Sequence, residues 1–181
     1  KLNAKNLLGF DQNKKLILIL GGSQGSSPIN KHILKKIDFY INREFQILWQ
    51  SGKYDFEFLK TTINNPKIII KKFINDMSTA YSAADIVISR AGALAISEMT
   101  YMEKAMILIP FPQAAENHQF INSQIIHSNN ACILIEQKQL KNGKLETNIE
   151  RILKSEKTLK KLEQNSKSIG MPQATKKIVS E

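Results

Sequence analysis

One stretch decides the fold of this chain: Leu16-Ile17-Leu18-Ile19-Leu20, followed at once by Gly21-Gly22-Ser23-Gln24-Gly25-Ser26. Consecutive apolar residues without polar alternation are typical of a strand that is buried on both faces of a parallel sheet. Glycines and serines directly after such a strand are typical of the turn that leads into a helix. Because Pro28 suits the first turn of a helix, the segment predicts a strand, a tight loop and a helix.

The same pattern repeats along the chain as far as Glu136. Short apolar runs alternate with segments of helical spacing, and this alternation is the signature of an α/β fold. We therefore predict a Rossmann-like open parallel sheet with helices on both faces. The predicted strands are Leu16–Leu20, Gln46–Trp49, Lys67–Ile70, Asp85–Ser89, Ala105–Ile109 and Ala131–Ile135.

Four helical stretches are predicted between these strands, and further helices at the C-terminus, where apolar residues recur every three or four positions. After Glu136 the strands stop, and residues 145–181 predict Lys-rich helices. Because no repeat or low-complexity linker interrupts the chain, we expect residues 1–181 to form a single domain. The apolar positions used are Ile29, Ile33, Leu34, Ile37 and Ile41; Phe56, Leu59 and Ile63; Leu94, Ile96, Met99 and Met102; Phe120, Ile121, Ile125 and Ile126; and Ile149, Ile152, Leu153, Leu159 and Leu162.

Composition restricts the class of protein. The 181 residues are 42% hydrophobic, which is enough for one core and excludes intrinsic disorder. The single Cys132 excludes a disulfide framework. The longest apolar stretch, Ala105–Pro112, falls short of the ~20 residues that span a bilayer. No charged-then-apolar leader is visible, so we expect a cytoplasmic protein.

The net charge of +10 suggests an anionic partner such as nucleic acid or a membrane surface. Its distribution is uneven: residues 1–72 carry a net +8, residues 73–135 a net −3 and residues 136–181 a net +5. The chain is also rich in Ile, Lys and Asn, the bias of an A·T-rich genome, which we favour as the main cause. Aromatic and basic residues are not interleaved, so we expect no nucleic-acid partner.

The glycine-rich loop is the first candidate site, because ligands of open α/β sheets bind at the carboxyl ends of the strands. Its glycines bring backbone N–H groups close to an anion, and Ser23 adds a hydroxyl. The G-x-G-x-x-G spacing is absent, and Gln50 stands where a ribose-binding acid is expected. A Gly-Lys-Ser/Thr sequence is also absent, so the loop is not a Walker A loop. A plain strand-to-helix turn is the alternative.

Two later loops carry further candidate groups. Small residues within Ser89–Glu98 expose N–H groups at a helix start, where the helix dipole favours a phosphate by ~0.3–1 kcal/mol. Two turns further on, the Glu98 carboxylate can accept both hydroxyls of a vicinal diol, although a solvated side chain is the alternative. The third loop, Pro110–Gln119, offers amides for sugar hydroxyls and His118 for proton transfer. A merely polar His118 is the alternative.

Metal chemistry is not expected. No His/Cys cluster, acid pair or Asp-x-Asp sequence has metal-ligand spacing. His32, His127 and Cys132 lie in helical or apolar segments, and we interpret all three as structural.

Five motifs in this order resemble the MurG family of glycosyltransferases. Members of that family transfer N-acetylglucosamine from UDP-N-acetylglucosamine (UDP-GlcNAc) to an undecaprenyl-diphosphate-linked muramyl pentapeptide. They do so at the cytoplasmic face of the membrane, in peptidoglycan synthesis. The resemblance runs from about Lys15 to the end of the chain. The motifs are Gly21–Gly25, Gln50–Lys53, Phe73–Met77, Arg90–Ala93 with Ser97 and Glu98, and Asn117–Gln119 with Asn122.

The resemblance implies the C-terminal, donor-binding half of a two-domain GT-B enzyme. The family's other half holds the lipid acceptor and the general base, and nothing in this sequence matches it. Asn3–Phe10 predicts the end of a helix before the polar turn Asp11–Lys15, which indicates that further chain precedes it. We expect the chain to contain no catalytic residue and to be inactive alone.

The resemblance also implies roles for individual residues. Ser23 would contact the diphosphate, the backbone of Ile74 would bind the uracil edge, and Glu98 would hold the ribose diol. Gln119, with His118, would bind the N-acetylglucosamine hydroxyls. The helix start would receive phosphate, although Ala95 stands where the family often has Thr. The residues assigned to the helix start are Ala93, Leu94, Ala95, Ile96 and Ser97, and the secondary candidates are Gly22, Gln24, Arg90 and Gly92.

The implied mechanism is a direct, inverting displacement that needs no metal or cofactor, because helix-terminal N–H groups would stabilise the UDP leaving group. Two alternatives remain. Another UDP-sugar enzyme, such as a glycolipid glucosyltransferase or a UDP-GlcNAc epimerase, is one, since fold does not fix the acceptor. A basic module that binds nucleic acid or lipid is the other.

Overall fold

A computed structural model describes residues 2–22 and 24–170 and contains a six-stranded sheet. Its strands, in chain order, are β1 (Lys15–Leu20), β2 (Phe45–Gln50), β3 (Ile68–Lys71), β4 (Ile86–Ser89), β5 (Ala105–Leu108) and β6 (Cys132–Leu134). Each pairs in parallel with its neighbours, in the order β3-β2-β1-β4-β5-β6. This is the doubly wound Rossmann order, and it confirms the predicted fold class.

The predicted strands are all present, with ends that differ by at most one residue from those predicted. The reason is visible in β1, where both faces are buried. Ile17 and Ile19 belong to one hydrophobic core, and Leu16 and Leu18 belong to the core on the opposite face of the sheet. A strand covered on both sides must be apolar throughout, so its sequence marks it clearly.

Helices cover both faces of the sheet. They are α1 (Leu2–Leu7), α2 (Ser27–Lys35), α3 (Ile37–Ile41), α4 (Phe56–Thr62), α5 (Met77–Ala83), α6 (Ala93–Tyr101), α7 (His118–Ser128), α8 (Lys144–Lys154) and α9 (Glu156–Ile169), with 3-10 turns at Ala115–Asn117 and Gln137–Asn142. Helices α2, α3, α4, α8 and α9 contribute to one core, and α1, α5, α6 and α7 contribute to the other. The predicted helical stretch from Ile29 to Ile41 is two helices, divided at Lys36.

Helical spacing predicted too much burial on α6 and α7. Leu94, Ile121 and Ile125 are at least half exposed, because the core-facing positions of these helices belong to Met99 and Ile126 instead. The C-terminal stripe is confirmed: its residues on α8 and α9 pack in or against the core. The part of that prediction covering residues 171–181 lies outside the described residues. No helix within the described ranges is long and apolar enough to cross a membrane.

The strand register brings the candidate loops together at one edge. Leu20, the last residue of β1, pairs with Gln50 on β2 and with Ser89 on β4, and Ser89 pairs with Leu108 on β5. The loops that follow these strands therefore start side by side at the carboxyl edge of the sheet, where doubly wound folds bind ligands.

Candidate functional site

Two connected clefts open at this edge, with volumes of about 630 and 430 Å³, within the usual range of small-molecule sites. We call them the glycine-loop cleft and the Glu98 cleft. They share Gly22, Ser89, Gly92 and Ala95, so they form one continuous depression. The glycine-loop cleft is also lined by Gly21, Gln24, Gly25, Ser26, Ser27, Pro28, Arg90, Phe111 and Gln119, and the Glu98 cleft by Leu20, Gln50, Phe73, Met77, Tyr81, Ala93, Leu94 and Glu98.

Glycines shape the first cleft through contact between two loops. A Cβ on Gly25 would lie 2.1 Å from the carbonyl oxygen of Ser51, and Gly25 has a φ of +85°. A Cβ on Gly52 would lie 2.2 Å from the carbonyl oxygen of Gln24. The loops after β1 and β2 therefore pack backbone against backbone, which no larger residue permits. Gly22 differs, because the space around its Cβ position is open.

A buried polar network fixes α2 behind this loop. The side-chain amide of Asn30 donates to the Ser51 carbonyl at 2.8 Å and to the Asp55 carboxylate at 2.7 Å. Its oxygen accepts the indole N–H of Trp49 at 2.9 Å. The sequence prediction missed Asn30. The available signal was a polar residue between Ile29 and Ile33, on the buried face of the helix.

Arg90 donates hydrogen bonds to the loops that follow β1, β5 and β6. Its guanidinium donates to the carbonyls of Ile109 and Pro110, to the Ser26 hydroxyl at 2.7 Å and to the Gln137 amide oxygen at 2.6 Å. All four acceptors are neutral. Burial lowers the pKa of the Arg90 guanidinium to about 10, so the group is still protonated at neutral pH. Arg90, a secondary candidate from the sequence, therefore both organises the glycine-loop cleft and gives it a positive charge.

A carboxylate gives the second cleft the opposite charge. Glu98 lies on α6, is partly buried, and accepts a hydrogen bond at 3.0 Å from the hydroxyl of Tyr81 on α5. Tyr81 is buried, and burial together with the neighbouring Glu98 carboxylate raises the pKa of its phenol well above the usual value. The sequence predicted Glu98 but missed Tyr81, because their contact depends on how two helices pack.

Gln50 connects the two clefts. Its side-chain oxygen accepts the backbone N–H of Ile74 at 2.8 Å, and its amide donates to the Gly22 carbonyl at 3.0 Å. The Ile74 N–H is therefore already bonded, so only the carbonyl of Ile74 could serve a ligand, although Ile74 is buried and lines neither cleft. The neighbouring Phe73 and Met77 line the Glu98 cleft. From the sequence, Gln50 stands where a ribose-binding acid is expected and belongs to the Gln50–Lys53 motif, but no role was predicted for its side chain.

The start of α6 lies where the clefts join. The N–H groups of Ala93, Leu94 and Ala95 belong to the first turn and lack intrahelical acceptors, and all three residues line the Glu98 cleft. Two neighbours assigned to the same role do not line either cleft. Ile96 donates its N–H to the Gly92 carbonyl and buries its side chain, and Ser97 is exposed, because the helix turns both away.

The third loop supplies Gln119 and not His118. The Gln119 side-chain oxygen accepts the N–H groups of Ala91 at 3.2 Å and Phe111 at 3.0 Å, which leaves its amide N–H₂ as the donor for a ligand. His118 is exposed, lies with Nδ1 2.7 Å from the Ala115 carbonyl, and lines neither cleft. Ser23, predicted to contact a phosphate, lies outside the described residues.

The remaining histidines and the cysteine have structural positions. His32 bonds the Glu146 carboxylate at 2.8 Å, and His127 lies 3.1 Å from the Cys132 carbonyl. Burial raises the pKa of the Cys132 thiol to about 12. In residues 2–22 and 24–170, no group of three His, Cys, Asp or Glu side chains is placed to hold a metal ion.

A doubly wound sheet with a two-part cleft at its switch point defines a Rossmann-like α/β domain of the ligand-binding class. The family model described as "Glycosyltransferase family 28 C-terminal domain" matches residues 16–178. The chain therefore belongs to glycosyltransferase family 28.

Relatives and a solved structure confirm the resemblance to MurG. The "UDP-N-acetylglucosamine--N-acetylmuramyl-(pentapeptide) pyrophosphoryl-undecaprenol N-acetylglucosamine transferase" of Flavobacterium psychrophilum is 42% identical over 172 residues, which cover 95% of this chain and 47% of the relative. The protein of the same name from Thermodesulfovibrio yellowstonii is 38% identical over 183 residues, covering 99% and 50%. The crystal structure of Acinetobacter baumannii MurG has a TM-score of 0.79 at 25% identity and covers 98% of this chain and 52% of that one. The chain spans about half the length of the curated relatives it matches, and it aligns to their C-terminal half.

Proposed function

We propose that this chain is the donor-binding half of an enzyme that transfers N-acetylglucosamine from UDP-GlcNAc to an undecaprenyl-diphosphate-linked muramyl pentapeptide. One observation carries the proposal: a cationic and an anionic cleft meet at the start of α6. A UDP-sugar has a matching division, with an anionic diphosphate beside a hydroxyl-bearing ribose. The names of the relatives supply the particular sugar and acceptor. They do not favour an epimerase, a glycolipid glucosyltransferase or a basic binding module.

The diphosphate would lie where the two clefts join. The free N–H groups of Ala93, Leu94 and Ala95 would bond its oxygens there, and the buried charge of Arg90 would add attraction without direct contact. Fixed donors of this kind stabilise charge that develops on a leaving group, because they need no reorganisation during the reaction. No metal is required in this account.

The nucleoside would occupy the Glu98 cleft. The Glu98 carboxylate would accept the ribose hydroxyls, and the Ile74 carbonyl would accept the N3–H of uracil. Phe73 and Met77 would cover the faces of the base. On the other side of the diphosphate, the Gln119 amide would donate to a hydroxyl of the sugar.

Transfer would be a single inverting displacement. An acceptor hydroxyl attacks the anomeric carbon, the bond from that carbon to the diphosphate oxygen breaks, and UDP leaves with the bonding electrons. We assign the general base and the lipid-linked acceptor site to the other half of the enzyme. The whole enzyme would work at the cytoplasmic face of the membrane as a peripheral protein.

Ligand-dependent stabilisation tests the proposal. UDP-GlcNAc at a hundred times its dissociation constant should raise the free energy of unfolding by ~2.7 kcal/mol, with or without a chelator. An oligonucleotide should have no effect. Salt-sensitive stabilisation by the oligonucleotide without a response to UDP-GlcNAc would instead support a basic binding module. With lipid acceptor present, the purified chain should show no transfer above background.

A further inference from the structure

We propose that Tyr81 is a positioning residue that sets the selectivity of this site for ribonucleotides by orienting the Glu98 carboxylate. The inference rests on the proposed function, because it takes the ribose diol as the partner of Glu98. It extends that function to a residue that would not itself touch the hydroxyls.

The contact between Tyr81 and Glu98 crosses from one helix to the next. Tyr81 is 2% exposed and is held by the core beneath α5, whereas Glu98 is only partly buried on α6. The phenol hydroxyl donates to Oε2 of Glu98 at 3.0 Å. Because the ring is buried in this core, it can restrain a carboxylate that otherwise has several rotamers.

The restraint by Tyr81 is important because the Glu98 side chain has no other described partner. The hydrogen bond from Tyr81 is the one described for the Glu98 side chain, and no salt bridge among residues 2–22 and 24–170 includes Glu98. A phenol can donate one hydrogen bond, so Oε1 and the second lone pair of Oε2 stay available as acceptors. These two oxygens can therefore accept hydrogen bonds from two adjacent hydroxyls. A sugar that lacks one of the hydroxyls loses one of these hydrogen bonds.

The experiment compares binding of UDP and 2′-deoxyuridine diphosphate to the full 181-residue chain by calorimetry. The wild type should bind UDP about tenfold more tightly than the deoxy analogue, the usual effect of one hydrogen bond to a charged group. Tyr81→Phe keeps the ring and removes the hydroxyl, and it should reduce that preference to about threefold or less. In a Glu98→Gln background, Tyr81→Phe should change the preference no further.

Two matched variants separate positioning from general loss of structure. Tyr40→Phe removes a buried hydroxyl in the opposite core, and Tyr101→Phe removes an exposed hydroxyl on α6 itself. Both should keep the wild-type preference. If Tyr81→Phe weakens both ligands equally, or leaves their ratio unchanged, the inference is wrong while the proposed function stands. If the folded wild type binds neither ligand, the proposed function fails and the inference fails with it.

Discussion

The glycine-loop cleft and the Glu98 cleft share a border but are built in different ways. The first is framed by backbone contacts between loops and by Arg90, whose charge is buried against neutral oxygens. The second lies between α5 and α6, and its charge is the Glu98 carboxylate, which accepts one hydrogen bond from Tyr81. The start of α6 belongs to both.

This difference bears on how a basic chain would hold a diphosphate under the proposed function. Among the described residues that line the two clefts, Arg90 alone has a basic side chain, and it lies in the segment of the chain that carries a net negative charge. Backbone N–H groups at the start of α6 would supply the remaining donors. The two clefts should therefore respond independently when one is altered, and the following four changes test that expectation in order of decreasing effect.

Gly25→Ala should break the frame of the glycine-loop cleft. The new Cβ would meet the Ser51 carbonyl, and alanine would also be strained at a φ of +85°. Together these effects should lower the free energy of unfolding by about 2–5 kcal/mol. Gly9→Ala is the matched control in denaturant titrations, because Gly9 has a φ of +79° but open space around it. Equal losses in the two variants would show that the loop contact contributes nothing.

Arg90→Lys should damage the cationic cleft alone. A lysine ammonium cannot reach the four acceptors on three loops, so stability should fall by about 1–3 kcal/mol. Pyrophosphate should bind about tenfold more weakly, while uridine should bind as it does to the wild type. NMR titration with each fragment measures both effects. Equal weakening of the two fragments would contradict the independence of the clefts.

Glu98→Gln should damage the anionic cleft alone. The amide keeps the shape of the side chain but replaces a charged acceptor with a neutral one, so uridine should bind about tenfold more weakly. Pyrophosphate should bind unchanged or slightly better, since a nearby negative charge is lost. The same fragment titrations serve as the measurement. Weaker pyrophosphate binding would instead place Glu98 in contact with the diphosphate.

His118→Ala should have the smallest effect, because His118 is exposed and lines neither cleft. The dissociation constant for UDP-GlcNAc should stay within about twofold of the wild-type value, which is less than the effect of losing one neutral hydrogen bond. Gln119→Ala is the comparison, and it should weaken UDP-GlcNAc several-fold because it removes a donor and a loop contact. A large loss from His118→Ala would return that residue to the site.

The elements that local sequence determines were predicted well. Apolar runs such as Leu16–Leu20 marked strands with both faces buried, and small residues after Ser89 marked a helix start. Features that depend on sheet order were not predicted. Arg90 reaches Gln137, and Gln50 reaches Ile74, only because strands distant in sequence end side by side. Local spacing contains no information about such contacts.

The assignments that came from motif resemblance met a different limit. A motif selects consecutive residues, whereas a helix presents only some of them to a ligand. Ala93, Leu94 and Ala95 line the cleft, and Ile96 and Ser97 turn away from it. In the same way, Gln119 lines the glycine-loop cleft, whereas its neighbour His118 lines neither cleft.

Backbone chemical-shift mapping of the 20.5 kDa chain with UDP-GlcNAc is the decisive test of the proposed donor site. We predict saturable shifts at Gly22, Gly92, Ala95 and Glu98 together, because one ligand would occupy both clefts. Shifts confined to the lysine-rich helices α8 and α9, with the carboxyl edge of the sheet unaffected, would contradict it.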